Sequence, residues 1–370
     1  MDKKILPFDC NVVYSMDCRI SCRLGIIQTS QYAQAWLATH LDILMSENLD
    51  LNFGSGIYVN QMNYYDDILD TREIDLWESS PDQIVDILID EINKDHYILI
   101  DLYWHDQFPD DINDPRTHSR TIIGYDINKR LFHTVALGNK KYELKDIPFD
   151  LFKKLYEDAI KQYLYDVGSK TLRQMFYFTI TSISIRENIS TDNYIFSAIV
   201  NKLGHEEGGA VIEVVRPRAD KTIDSKTILY TGTYCILGVI KALQDNIVNQ
   251  NFEDNTRFLY TIIRTLFGLA EHRQIIFGGM KWIVDQLHCD DKTIKETISL
   301  YETVPQTMQS LSFMIQKYYQ KRDINIIHKV IDKLEKQFVY EKEVLKQFVD
   351  YSFSFYKNYN GYEEYKKRTH

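Results

Sequence analysis

Cys10, in Phe8-Asp9-Cys10-Asn11, and His118, in Thr117-His118-Ser119-Arg120-Thr121-Ile122-Ile123-Gly124-Tyr125-Asp126, are residues whose types can do covalent chemistry together. A thiol becomes a nucleophile when a base takes its proton, and an imidazole takes and returns protons near neutrality. After Cys10, the apolar residues Val13, Met16, Ile20 and Leu24, with Gly25 as a stop, predict a helix over residues 10–24 with Cys10 in its first turn. There the positive end of the helix dipole favours the thiolate, and backbone N–H groups can hold an oxyanion. A buried structural thiol is the alternative, and it is the commoner role for any single cysteine. His118 opens a predicted strand directly after a polar loop, from which it could face a helix start as general base and then general acid. A part-exposed strand-end histidine is the alternative there, and His96, His105 and His133 are the competing imidazoles.

The remaining thiols carry less. Cys18 and Cys22 stand at i and i+4 and could share a helix face, but two ligands do not complete a tetrahedral metal site. Cys235 and Cys289 stand singly on predicted helices. Five cysteines in 370 residues is an odd, small count that points to reduced thiols and no disulfide framework. Lys and Arg number 43 against 53 Asp and Glu, a net charge of −10 with no long basic run, which argues against a nucleic-acid partner. No signal-peptide pattern follows Lys3-Lys4, and no stretch reaches the roughly 18 apolar residues of a membrane span, so a cytoplasmic protein is expected.

The elements that must position these residues follow from periodicity. A second helix is expected over 31–45, and a third after Ser80, which caps it with Pro81 in the first turn and Gln83 closing a capping box. From His96 the period changes to strands, over 96–104, 119–125, 131–137 and 141–145, with a hairpin turn at Asp126-Ile127-Asn128-Lys129. A helix over 149–167 closes this unit. Residues 175–185 alternate as one more strand or a strand-like linker, residues 204–225 look like a long loop, and helical patterns fill 194–203, 234–246, 256–287, 292–320 and 324–359. Length and pattern together predict two domains, an α+β unit over 1–170 and an all-α bundle over 171–370.

This arrangement resembles the N-terminal domain of butirosin biosynthesis protein H and its relatives, a papain-like cysteine-peptidase fold of antibiotic gene clusters. The resemblance is carried by Pro7-Phe8-Asp9-Cys10, by Ile100-Asp101-Leu102-Tyr103-Trp104 on the strand before the histidine, and by His118 six residues before Gly124-Tyr125-Asp126. It is carried further by Tyr142-Glu143-Leu144-Lys145-Asp146-Ile147-Pro148-Phe149 and by Leu269-Ala270-Glu271-His272-Arg273. What it implies is transfer of an acyl group from the phosphopantetheine thioester of an acyl or peptidyl carrier protein to a small amine, forming an amide, with no other cofactor or metal. Cys10 would accept the acyl group and His118 would move the protons. Family members carry an acid at the end of the strand after the histidine, where this chain has Ala136. Asn139, Asp101 or no residue at all would then orient the imidazole. A non-catalytic scaffold that binds a carrier protein or product is the rival reading, and a peptidase or hydrolase the third. Glu271-His272-Arg273 fits a buried polar network between helices better than a catalytic role.

Overall fold

The structure is a computed structural model that describes residues 2–14, 18–53, 63–76, 79–103, 117–137, 142–166, 179–190, 194–216, 225–248 and 256–358. In chain order its elements begin with β1 (Lys3–Ile5), α1 (Cys18–Ile27), α2 (Ala33–Thr39), β2 (Ile43–Ser46), β3 (Leu51–Phe53) and β4 (Leu69–Asp75). α3 (Pro81–Asn93), β5 (Tyr97–Tyr103), β6 (Thr117–Asp126), β7 (Leu131–Leu137), β8 (Tyr142–Pro148), α4 (Phe149–Asp166) and β9 (Thr179–Ile185) follow. Beyond β9 come β10 (Ala210–Arg216), β11 (Ser225–Thr231) and the helices Cys235–Val248, Thr256–Gln286, Lys292–Tyr301, Thr303–Lys321 and Ile324–Asn358. The fold is mixed α and β with antiparallel sheets and a helical C-terminal region. None of the described helices is long and apolar enough to cross a membrane.

Two compact units divide the chain, one of residues 1–33 and 62–189, the other of residues 34–61 and 190–370. These differ from a division at residue 170 in two places. β9 belongs to the first unit because it pairs with both β4 and β5, and residues 34–61 belong to the second because β2 pairs with β11. Long-range strand pairing leaves no local mark, so neither crossing is written in the periodicity.

The first unit is a seven-stranded sheet in the order β4-β9-β5-β6-β7-β8, with β1 also on β6. β7 pairs with Thr121 to Asp126 on one side of β6. β1, which pairs with Gly124 to Asp126, must therefore lie on the other side, in line with β5. Gly124 makes this possible: a Cβ there would stand 2.4 Å from the Lys4 carbonyl, and the β6–β7 register shifts at the same point. α3 begins as its sequence demands, with Ser80 Oγ accepting from Gln83 N, Gln83 Oε1 accepting from Ser80 N, and Pro81 in the first turn. It buries Ile84, Val85, Leu88 and Ile92. α4 packs Phe149 and Phe152 on Phe132 of β7.

In the second unit a four-stranded antiparallel sheet, β10-β11-β2-β3, lies among the helices. The helix expected over 31–45 ends at Thr39, and Ile43–Ser46 is strand. His40 stacks on Trp36 and bonds to its carbonyl, and Leu41 takes φ 65°, a left-handed stop that turns the chain out of the helix. The expected loop over 204–225 contains β10, and the helix expected over 292–320 breaks at Glu302. The helical run from Tyr194 to Gly208 widens to a π-helix over Ser197–Leu203. Ile199, Leu203, Phe277, Met280, Ile283, Tyr301, Leu345 and Phe348 lie in the core of this unit.

Candidate functional site

Cys10 is not at a helix start. Residues 10–14 are irregular, with bends at 10, 11 and 13, and α1 begins at Cys18. The reason is local polar competition: Asp9 Oδ1 accepts from Asn11 N at 2.8 Å, an Asx turn that gives the backbone an alternative to helix. Gln28 then holds the turn from outside, its Nε2 donating to Asp9 Oδ2 at 2.9 Å and to the Asn11 carbonyl at 3.1 Å, its Oε1 accepting from Val13 N at 3.0 Å. Asp9 N donates to the Gly25 carbonyl at 3.0 Å, and Gln28 N, Thr29 N and Ser30 N take those of Leu24, Ile26 and Ile27. The last four carbonyls of α1 are thus all satisfied, one of them by the Cys10 turn. The Phe8 ring lies against Gly25, where a Cβ would come within 2.1 Å of it. Cys10 is therefore fixed beside the negative end of α1, opposite in polarity to the expectation. It is part-buried and in no disulfide, whereas Cys22, Cys235 and Cys289 are buried.

The ladder registers decide which residues share a face. Tyr97 Oη donates to the Pro7 carbonyl at 2.6 Å, so the chain leaving β1 toward Cys10 runs over the face that carries Tyr97. Alternation puts Tyr97 and Leu99 on that face, and Thr121, the β6 partner of Leu99, with them. His118 pairs with Leu102 of β5, and its side chain, like that of Asp101, lies outside the described residues. Asn139 and His105 lie outside the described residues. Val135 pairs with Thr121, so Val135 and His133 of β7 share the Tyr97 face.

Two other histidines of the first unit are held by carboxylates. His133 Nδ1 lies 2.7 Å from Asp146 Oδ1, its cross-strand neighbour on β8. Because an ionised carboxylate only accepts, Nδ1 carries a proton in this contact. Nε2 is buried and has no hydrogen-bond partner among the described residues. His96 is placed differently: its Nδ1 faces both Glu91 Oε2 at 2.9 Å and Ser182 Oγ at 3.0 Å, and Ser182 Oγ donates to the same Glu91 oxygen at 2.6 Å. A triad needs serine and acid on different ring nitrogens, so this is a closed polar knot and not a nucleophile with its base. Burial raises the Glu91 pKa, but hydrogen bonds from Ser182, His96, Lys94 and Arg72 outweigh it and bring the group down to about 2.

The second unit buries a larger network. Arg273 Nη1 lies 3.0 Å from His272 Nδ1, and since arginine only donates, Nδ1 accepts. His272 Nε2–H then points at the Leu41 carbonyl at 2.9 Å, with Glu206 Oε1 at 3.3 Å. Arg273 also donates to the Gly232 carbonyl at 3.2 Å and pairs with Glu341 at 2.9 Å, through an N–H not aligned on that oxygen. Tyr301 Oη donates to Glu341 at 2.9 Å, and Lys202, on the π-helix, lies 3.2 Å from both Glu206 and Asp42. Burial lowers the His272 pKa to about 4, so the ring is neutral at pH 7. Burial raises Glu206, but His272, Lys202 and Arg273 reverse that and hold it below the ordinary carboxylate range. Glu341 moves the other way, raised chiefly by burial. His272 and Arg273 thus supply a network tying helices, strand ends and turns together. Lys202 and Glu206, which sequence reasoning passed over, carried a readable signal in their i, i+4 spacing. Glu341 and Asp146 carried none without the pairing.

Compared with protein-family models and with curated proteins, the chain matches none.

Proposed function

We propose that the first unit is a papain-like domain that transfers an acyl group through Cys10, from the thioester of a carrier protein to a small amine, forming an amide. The observation that carries this reading is the state of Cys10: a part-exposed thiol in a turn pinned at Asp9, Asn11 and Val13 by Gln28, while Cys22, Cys235 and Cys289 are buried. A nucleophile has to be accessible and held still, and this turn meets both needs. A helix laid on an antiparallel sheet, with α1 packed on β6, agrees with the papain-like plan. Acyl transfer to an amine also needs water kept from the acyl-enzyme, which would otherwise be hydrolysed.

The second reading is a non-catalytic scaffold that binds a carrier protein or a product. One observation favours it: Cys10 stands at the carbonyl end of α1, where the dipole opposes a thiolate. Intact-mass measurement after incubation with acyl-loaded carrier proteins separates the two. Acyl transfer expects the mass of the acyl group on the parent chain and none on Cys10→Ala; a parent that stays unloaded with every donor while still binding the carrier leaves the scaffold reading.

A further inference from the structure

We propose that the Asp9 carboxylate and the Gln28 carboxamide act as one unit that positions the Cys10 thiol, an inference that rests on the acyl-transfer reading above and deepens it. Three observations carry it. The bonds fall on both sides of the thiol. Gln28 Nε2 donates to Asp9 Oδ2 at 2.9 Å and to the Asn11 carbonyl at 3.1 Å, and Gln28 Oε1 accepts from Val13 N at 3.0 Å. Asp9 uses its other oxygen, Oδ1, to accept from Asn11 N at 2.8 Å and so closes the turn around Cys10. Gln28 is itself anchored, since its backbone N–H donates to the Leu24 carbonyl of α1 at 2.8 Å.

The chemistry of the pair is also particular. The turn presents two acceptors and one donor to position 28, and among side chains of that length only a carboxamide supplies two donors and one acceptor. A carboxylate there would have no proton for either acceptor and would set a second negative charge against Asp9. Asp9, Cys10 and Gln28 are all part-exposed, so water can replace the bonds if they are lost, and Asp9 N still donates to the Gly25 carbonyl. Loss of the pair therefore falls on where the thiol stands more than on whether the unit folds. Asp9 and Gln28 touch no reacting atom and pass no proton. What they supply is a fixed approach of the sulfur to the thioester carbonyl, and a misplacement of about 1 Å can cost about a hundredfold in rate.

The test inverts the pair. In the double variant Asp9→Asn/Gln28→Glu, an amide in the turn donates to a carboxylate on α1, while the introduced amide oxygen can still accept from Asn11 N and the introduced carboxylate from Val13 N. Only the bond to the Asn11 carbonyl is lost. Two readouts are taken on the full chain for the parent, both single variants and the double: the rate of Cys10 loading by intact mass across concentrations of acyl-loaded carrier protein, and amide exchange at Val13. Each single variant is expected to slow the saturated loading rate about tenfold to a hundredfold with the half-saturating carrier concentration unchanged, and to speed Val13 exchange. The double should regain most of both losses, because members of one hydrogen-bonded pair do not act additively. A role in stability alone predicts losses that add. Single variants that load at the parent rate, or a double slower than either, overturn the assignment. Should Gln28→Glu fail to fold by near-ultraviolet circular dichroism, Asp9→Asn and the double complete the comparison. Val13 exchange needs no acyl donor, so the two readings fail separately. A parent that no donor loads, with Val13 protection lost in the singles and regained in the double, ends the acyl-transfer reading alone. A parent that loads at Cys10, with single variants as fast as it, ends this assignment alone.

Discussion

Gln28 does for Cys10 what a helix start was expected to do, which is to hold one thiol in one place. Its amide bonds on both sides of Cys10, at Asp9 and at the Asn11 carbonyl and Val13 N–H, so the turn is stitched to the end of α1. Iodoacetamide is therefore expected to label Cys10 ahead of the buried Cys22, Cys235 and Cys289 in the folded chain, by mass mapping at short times. Earlier labelling of any of those three would mean that the turn is not the accessible site. At the same scale, Arg273 is buried against Glu341 and His272, and removing one member of a buried pair leaves the other charge stranded. Arg273→Met is expected to cost about 3–5 kcal/mol in urea unfolding. The double variant Arg273→Met/Glu341→Gln should recover part of that loss, because the second change removes the stranded carboxylate; equal losses in the single and double variants would place the cost in packing instead.

Among the elements, β1 and α3 depend on single residues in opposite ways. β1 needs the absence of a side chain: a Cβ on Gly124 would meet the Lys4 carbonyl at 2.4 Å and Ile5 Cα at 2.9 Å, both backbone atoms that cannot swing aside. Gly124→Ala should separate β1 from β6 and cost about 1–3 kcal/mol, the range for overpacking a close contact. Amide exchange at Leu6, which donates to the Ile123 carbonyl, should speed up with it. Unchanged protection there would show that the ladder has room the geometry denies. α3 needs the presence of one: Ser80→Ala removes the acceptor for Gln83 N and should cost about 1 kcal/mol.

For the whole molecule, acid should find the second unit at His272. The ring is neutral in the fold with its pKa lowered to about 4 by burial, against 6.5 when unfolded. As pH falls from 6.5 to 4 the unfolded chain binds that proton first, so the stability this group contributes is complete above 6.5 and drains away through that window. The shift is worth roughly 3 kcal/mol at full burial. Glu341 runs in the opposite sense, since its raised pKa adds stability below the ordinary carboxylate value and loses it as pH rises through the folded one. Comparing the parent with His272→Gln isolates the histidine: the parent should lose more stability between pH 7 and pH 5 than the variant. Parallel losses would mean that His272 does not titrate with folding.

Short-range chemistry was determined by the sequence alone. Ser80-Pro81 with Gln83 wrote the start of α3, the turn after Asp126 set the β6–β7 hairpin, and the stripe behind Phe149 made α4, because caps, tight turns and helical stripes are settled among residues a few positions apart. The buried role of His272 and Arg273 was legible too, from their place within a helical pattern. What only the tertiary structure decided involves pairing across distance. β9 completing the first sheet, β2 and β10 joining β11, and Gln28 drawing residues 9–13 out of helix all turn on partners that no local period encodes. The candidate site belongs to this second class. Cys10 is held by contacts of residues 9–13 with Gln28 and Gly25, partners that lie far on in the chain and meet them only once α1 has folded back, so no local period could place the thiol.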